Sequence, residues 1–168
     1  SAASYATTTT WNLVVGYGGS ATDGNKTVYA QFRDAAGGSW SSSFSDNIIL
    51  DYHAPSTSVT NGNTGGTYLN AVGVQLSCSD NSAGTGSGCS KTYYTLSSSA
   101  SVTPTTASSI YTTGSITVDG ATSPMYLKYF SVDNLGNSES VKTQTYTFGQ
   151  ATTHLSILLS TQTIKQTE

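Results

Sequence analysis

The stretch MYLKYFSVDNLGNS, residues 125–138, contains the pattern that decides the fold. Its first nine residues are mostly aromatic and apolar, with Lys128 and Asp133 as the charged exceptions, and have no helical spacing, which predicts a β-strand ending at Asp133. Asn, Leu, Gly and Asn follow, and such residues favour tight turns. The Asp133 carboxylate can accept hydrogen bonds from the next backbone N–H groups, and Gly136 can adopt a positive φ. The stretch therefore predicts a strand closed by a tight turn.

The same arrangement occurs once earlier in the chain. VYAQFRDAAGGS, residues 28–39, aligns with LKYFSVDNLGNS, residues 127–138, so that Asp34 matches Asp133 and Gly38 matches Asn137. The two copies start about 100 residues apart, the size of one immunoglobulin-like β-sandwich. A calcium site is a second interpretation of the later turn, with Asp133 and Asn137 as candidate ligands, although no dense D-x-D-x-D run accompanies them. No other metal site and no cofactor is predicted.

The composition favours an all-β protein and excludes some functions. The 168 residues have a net charge of −3 and only 9% are charged, so the basic surface of a nucleic-acid-binding protein is missing. Ser and Thr together make up one third of the chain, and there are 17 Gly and 11 Tyr. Thr and Tyr suit strands, whereas Gly and Ser suit turns. No apolar stretch reaches 18 residues, so no membrane span is expected.

Strand-like runs follow one another from residue 55 to residue 148, separated by turns rich in Gly, Asn and Asp. This spacing, without any helical period, predicts a β-sandwich. Residues 109–120 are predicted as one strand, and HAPSTS, residues 53–58, as a linker. Cys78 and Cys89 frame a loop rich in Gly and Ser and are expected to form a disulfide. A disulfide implies an extracellular or cell-surface location.

Residues 55–148 resemble the chitobiase/β-hexosaminidase C-terminal type of immunoglobulin-like domain. The resemblance lies in the segments LSCSD, KTYYTL, SIYTTGSITV and LKYFSVDNLGNSES. The chain departs from the pattern at LSSSAS, where family members often carry Asp-Gly-Ser. Residues 25–55 resemble the closing strands of a second bacterial extracellular immunoglobulin-like repeat. Both resemblances imply non-catalytic modules of secreted or cell-surface proteins.

The expected organisation is an all-β chain with two immunoglobulin-like β-sandwich units, the first incomplete, and a C-terminal extended strand. Residues 1–52 form the incomplete unit, because three or four strands leave an apolar face without a second sheet. Residues 55–149 form the second unit. In the tail, residues 150–168, apolar side chains alternate with polar ones as in a β-strand: Leu155, Ile157 and Leu159, followed by Thr161.

These features predict that copies of the chain join by strand donation. The tail of one copy would complete the first unit of the next, and such head-to-tail contacts build an extracellular filament. The donor residues are Leu155, Ile157, Leu159 and Thr161. The acceptor groove is expected on the apolar face of the first unit, at Val28, Ala30, Phe32, Ile48 and Leu50.

The alternative function is an accessory module of a larger cell-surface protein, either a spacer or a domain that binds glycans. Sugars could stack on aromatic side chains, whereas the competing interpretation is packing within the sandwich; the candidates are Trp11, Trp40, Tyr93, Tyr94 and Tyr111. Asn25 begins the one N-x-[ST] sequon, in a predicted turn, and is a candidate glycosylation site. No catalytic site is predicted, because the two His lack a nucleophile motif and most of the nine acids lie in turns.

Overall fold

The computed structural model describes residues 8, 10, 12, 13, 21–62, 66–80 and 85–149. Within these residues every regular element is a β-strand, which confirms the all-β class, and no helix there could cross a membrane. The strands are β1 (Gly24–Ala30), β2 (Phe44–Leu50), β3 (Ser56–Asn61), β4 (Thr67–Tyr68), β5 (Val72–Ser79), β6 (Cys89–Ser97), β7 (Ser109–Tyr111), β8 (Ile116–Val118), β9 (Met125–Asp133) and β10 (Lys142–Phe148).

The strands from β3 onward form a sandwich of two sheets. One sheet has the order β3-β5-β8, and the other has the order β4-β10-β9-β6-β7. Neighbouring strands are antiparallel except β4, which runs parallel to β10. The chain therefore changes sheets between β3 and β4. The predicted immunoglobulin-like sandwich is confirmed, and all of its strands lie within residues 55–149.

The core lies between the two sheets. Its buried side chains come from both, in the alternating pattern that the strand period requires: Val74, Leu76, Ile116, Val118, Met125, Leu127, Tyr129 and Tyr146. The Tyr146 hydroxyl donates a hydrogen bond to the carbonyl oxygen of Gly62 at 2.7 Å. Burial raises the pKa of Tyr146 to about 12, so the phenol stays protonated and remains a donor at neutral pH.

The prediction of one strand over residues 109–120 was wrong. β7 lies in the five-stranded sheet, whereas β8 lies in the three-stranded sheet. Gly114 separates them at a φ of +85°, and its carbonyl oxygen accepts a hydrogen bond from the Tyr111 hydroxyl at 2.7 Å. A continuous strand-like sequence cannot show that the chain crosses from one sheet to the other.

The prediction that residues 53–58 are a linker was also wrong, because β3 begins at Ser56. Its sequence is mostly polar, so the alternation of apolar residues did not reveal it. Thr57 is nevertheless buried, and its hydroxyl shares a hydrogen bond with that of Ser131 on β9 at 2.5 Å. The Ser131 hydroxyl also bonds Thr92 on β6 at 2.6 Å. At this point the two sheets are therefore joined by hydrogen bonds between hydroxyl groups and not by apolar side chains.

The predicted disulfide between Cys78 and Cys89 is confirmed. Cys78 lies on β5 in the three-stranded sheet and Cys89 begins β6 in the five-stranded sheet. The bond therefore ties the two sheets together covalently. In the chain-entropy description, closing a loop of this length stabilises a fold by about 3 kcal/mol.

Candidate functional sites: the β1–β2 unit and the acidic joint

β1 and β2 form a separate two-stranded antiparallel sheet, here called the β1–β2 unit together with the loop that joins them. In its register Ala30 lies opposite Phe44 and Val28 opposite Asp46. Because side chains alternate along a strand and cross-strand partners share a face, Val28 and Ala30 lie on the same face as Ile48 and Leu50. Four of the five residues predicted for the acceptor groove thus share one face.

This face is only partly covered. Leu50 is buried and Val28 half-buried, whereas Ile48 is 49% exposed. Phe32, the fifth predicted groove residue, follows β1; it is 55% exposed and its ring centroid lies 5.9 Å from that of Phe44. Leu13 lines a depression on this face together with Val28 and Ile48. The groove stays a prediction, and its predicted donors Leu155, Ile157, Leu159 and Thr161 lie outside the described residues.

Both copies of the repeated turn adopt the predicted conformation. In the first, the Asp34 carboxylate accepts a hydrogen bond from the backbone N–H of Gly38 at 2.8 Å, and Gly37 has a φ of +79°. In the second, the Asp133 carboxylate accepts from the backbone N–H groups of Leu135 and Asn137 at 2.8 and 2.9 Å. Gly136 has a φ of +92°. The two copies differ in their surroundings, since Asp34 is exposed and Asp133 is buried.

The second turn also holds the β1–β2 unit against the sandwich. The Asn137 side-chain amide donates to the Asp133 carboxylate at 2.7 Å and to the carbonyl oxygen of Asp51 at 3.1 Å. Asp51 directly follows β2. A second link is the hydrogen bond from the backbone N–H of Ser87 to the Asp51 carboxylate at 2.6 Å. The Asn137 amide nitrogen therefore acts as a bridging donor between the two parts.

Three acids meet at this junction, here called the acidic joint: Asp51, Asp80 and Asp133. Each offers one carboxylate oxygen, and these oxygens lie within 4.8 Å of one another. Asp51 is 7% exposed and Asp133 is 3% exposed. The hydrogen bond from the Ser87 backbone N–H holds the pKa of Asp51 below its ordinary value, against the opposing effect of burial, so this carboxyl is ionised at neutral pH.

The acidic joint has little counter-charge of its own, because His53 adds positive charge beside Asp51 and Asp80 only when its ring is protonated. Among the described residues, no Lys or Arg forms an ion pair with any of the three acids. Two unit charges at such separations repel by roughly 3 kcal/mol near a protein surface. The Oδ2 atom of Asp80 accepts from the backbone N–H of Gly88 at 2.6 Å, whereas its Oδ1 atom is buried and has no hydrogen-bond partner among the described residues.

His53 and Asp23 lie beside the acidic joint. The Nδ1 atom of His53 contacts the Asp23 carboxylate, and this hydrogen bond and charge raise the pKa of His53. The second Asp23 oxygen accepts from the backbone N–H of Tyr52 at 3.1 Å. Asp23, His53 and Asp51 also bring one ligand atom each within 4.8 Å of one another. The contact between Asp23 and His53 therefore holds the start of β1 against the segment that follows β2.

Sequence reasoning identified Asp133 and Asn137 in this region but missed Asp51, Asp80 and Asp23. One signal was available, because Asp51 and Asp80 each directly follow a strand, in NIILD and LSCSD. What the sequence could not show is that the ends of β2, β5 and β9 meet. That meeting depends on the packing of the β1–β2 unit against one end of the sandwich.

The aromatic residues mostly serve packing. Tyr93 stacks on Phe130 with centroids 5.3 Å apart, and both rings are 7% exposed. Tyr94 and Tyr111 are half-buried against the core. The Trp40 ring is covered on one side by the Arg33 guanidinium, 4.7 Å from its centroid. Trp11 lies outside the described residues.

Exposed aromatic rings in the described part of the chain all precede the sandwich: Tyr29, Phe32, Trp40, Phe44 and Tyr52. Asn25, the candidate glycosylation site, is exposed but lies within β1, so the turn predicted there was wrong. The sequon's Thr27 uses its hydroxyl to donate to the Asn47 side chain at 2.8 Å, across to β2. Glycosylation of Asn25 stays a prediction.

Comparison with known proteins finds one family to which most of the sandwich is similar. Residues 63–143 match the family model of the chitobiase/beta-hexosaminidase C-terminal domain. The matched segment contains β4 to β9 and the start of β10, which confirms the resemblance seen in the sequence. The family is a C-terminal accessory domain of an enzyme and not a catalytic domain. No curated protein and no solved structure gives a significant match to the chain.

Proposed function

We propose that the sandwich, as a domain of the chitobiase/β-hexosaminidase C-terminal type, is a non-catalytic spacer module of a secreted or cell-surface protein. The family match carries the proposal, because the matched family is an accessory domain. The Cys78–Cys89 disulfide supports an extracytoplasmic location, where such bonds persist. A spacer must hold its neighbours at a fixed distance, so its joints must be stiff.

The junction with the β1–β2 unit supports a stiff joint. Asp51 is bonded to the sandwich twice, from the Ser87 backbone and from the Asn137 side chain. Gly24, at the start of β1, is buried, and a Cβ at this position would contact the Thr85 side chain at 3.5 Å. Backbone from one part thus lies against a side chain of the other. The two parts are joined by specific hydrogen bonds and close packing.

The distribution of aromatic rings favours a spacer over a carbohydrate-binding domain. Sugar-binding surfaces commonly present exposed aromatic faces. Among the described residues of the sandwich, every Tyr and Phe is buried or half-buried. Trp40, on the β1–β2 unit, already has Arg33 over one face of its ring.

The spacer proposal is tested by measuring the stiffness of the joint. Spin labels at Ser45→Cys and Ser140→Cys, both exposed, report the distance between the β1–β2 unit and the sandwich by pulsed electron resonance. We expect one narrow distance distribution, which Asn137→Ala broadens because it removes the bridging amide. Asn70→Ala, an exposed loop substitution, is the matched control and should leave the distribution narrow.

A broad distribution in the parent chain would contradict the spacer proposal. The carbohydrate-binding alternative is examined on the same preparation by sedimentation with insoluble chitin and cellulose. Retention that Trp40→Ala abolishes would assign sugar binding to the β1–β2 unit and would replace the spacer function.

A second candidate function is assembly by strand donation, which the partly uncovered face of the β1–β2 unit favours. Ile48, Phe32 and Phe44 are about half exposed there, and exposed apolar faces beside sheet edges accept added strands. We propose the tail of a neighbouring copy as the occupant, because its alternating apolar residues match the period of such a strand. The contact is head-to-tail and gives a filament.

Strand donation predicts that Ile157→Asp prevents filament formation, because it buries an unpaired carboxylate. Ser156→Asp, on the opposite face of the predicted donor strand, is the matched control and should leave assembly intact. Assembly is followed by analytical ultracentrifugation and negative-stain electron microscopy. Strand donation is wrong if removal of residues 150–168 leaves the degree of assembly unchanged, or if the full chain stays monomeric at high concentration.

A further inference from the structure

We propose that the acidic joint binds a calcium ion, which fastens the β1–β2 unit to the sandwich. The ligands are carboxylate oxygens of Asp51, Asp80 and Asp133. This inference deepens the spacer proposal, because the ion would stiffen the same junction, and it does not depend on the filament proposal.

The first support is geometric. One oxygen from each acid lies within 4.8 Å of the other two. Calcium binds oxygen at about 2.3–2.6 Å, so two opposite ligands span about 5 Å, whereas the shorter bonds of magnesium span about 4 Å. The three oxygens therefore lie close enough together to bind one calcium ion. The three proposed ligand atoms are all carboxylate oxygens, the ligand type that calcium prefers.

The second support is the Oδ1 atom of Asp80. It is buried and has no hydrogen-bond partner in the part of the chain that the structure describes. A buried polar atom is normally paired, and a charged one especially so. The other acids do not have this deficit, because both oxygens of Asp51 and both of Asp133 accept hydrogen bonds. A cation in the acidic joint would supply the missing partner for Asp80.

The third support is charge. All described contacts to the three carboxylates come from backbone N–H groups and the Asn137 amide, which are neutral donors. Neutral donors satisfy oxygens but do not cancel their mutual repulsion. A divalent cation cancels most of it. The hydrogen bonds meanwhile hold the carboxylates in place, as ligands usually require.

The site joins three distant parts of the sequence. Asp51 follows β2 in the β1–β2 unit, whereas Asp80 follows β5 and Asp133 ends β9 in the sandwich. A bound ion would thus cross-link the two units at the point where the Asn137 amide already joins them. We therefore expect calcium to stabilise the junction and the whole described fold.

The test uses the full chain with calcium chloride as the probe. Thermal unfolding is measured after removal of metal with a chelator and then with calcium added to about 10 mM, above the range of weak extracellular sites. We expect the midpoint to rise by about 5 °C or more, and magnesium to give a smaller rise. Isothermal titration calorimetry on the same sample should give a stoichiometry of one.

Asp80→Asn is the informative variant, because it keeps an acceptor for the Gly88 N–H while removing one charge. Without metal we expect it to unfold at the same or a higher temperature than the parent, since repulsion is relieved. With calcium it should show less than a fifth of the parent's rise. Asp34→Asn is the matched control: it alters the same turn in the first copy, away from the acidic joint, and should keep the full calcium response.

Three outcomes would overturn the proposal. The first is no calcium-dependent rise in the parent chain. The second is an equal rise with magnesium or with sodium chloride of equal ionic strength, which indicates screening of surface charge. The third is an undiminished calcium response in Asp80→Asn.

Discussion

Replacing Glu139 by Ala is expected to lower the free energy of unfolding by about 4 kcal/mol. The Glu139 side chain is 6% exposed and its carboxylate connects the two sheets. One oxygen accepts from the backbone N–H of Thr57 on β3 at 3.0 Å, and the other from that of Ser131 on β9 at 2.9 Å. Lys142 lies 2.9 Å away as the counter-charge. Alanine leaves two backbone donors without an acceptor, each costing about 1–3 kcal/mol.

Equilibrium denaturation with the disulfide intact measures this loss. Glu139→Gln is the matched control, because its amide oxygen still accepts one of the two bonds; we expect about half the loss. A loss below about 1 kcal/mol for Glu139→Ala would show that water or a neighbouring group replaces the carboxylate.

Replacing Leu127 by Ala is expected to cost about 3–4 kcal/mol. Leu127 is fully buried on β9, in the core between the two sheets. The substitution removes apolar contacts and leaves a cavity that close-packed strands cannot fill by relaxing. The same denaturation experiment measures the effect. Leu135→Ala is the control, because this side chain is 55% exposed and should cost less than about 0.5 kcal/mol. Similar losses for the two variants would contradict the assignment of the core.

The two copies of the repeated turn show how one local motif can serve different purposes. Asp34 organises an exposed loop, and its carboxylate bonds the Gly38 backbone within the same turn. Asp133 organises the same turn but is buried, and Asn137, which stands where the first copy has Gly38, reaches across to Asp51. The two turns therefore share the hydrogen bond from the fourth residue after Asp and the positive φ of Gly, whereas the link between units is made by the second copy.

The sequence predicted local features well. The positive φ of Gly37 and Gly136 and the hydrogen bonds to Asp34 and Asp133 follow from residue types a few positions apart. The Cys78–Cys89 disulfide likewise closes a short loop. Such features depend on backbone and side-chain chemistry that is already present in the local sequence.

Features that depend on distant segments were not predicted. β3 was missed because most of its side chains are polar. Its buried polar residue, Thr57, is tolerated because its hydroxyl bonds that of Ser131 and its backbone N–H donates to Glu139. The break between β7 and β8 was missed because sheet membership depends on pairing partners. Of the three acids in the acidic joint, only Asp133 was predicted from the sequence. Asp51 and Asp80 were missed because their role depends on lying beside Asp133 in the folded chain.

By itself, the sequence determined that the chain is all-β, where its tight turns fall, that its cysteines pair, and which family its sandwich resembles. These properties follow from composition, period and short-range spacing. Only the tertiary structure decided that three strand ends bring their acids together and that Asn137 ties the β1–β2 unit to the sandwich. The reason is physical: a carboxylate's environment is set by the groups within a few ångströms in space, and the packing of two units, not the order of residues, brings those groups there.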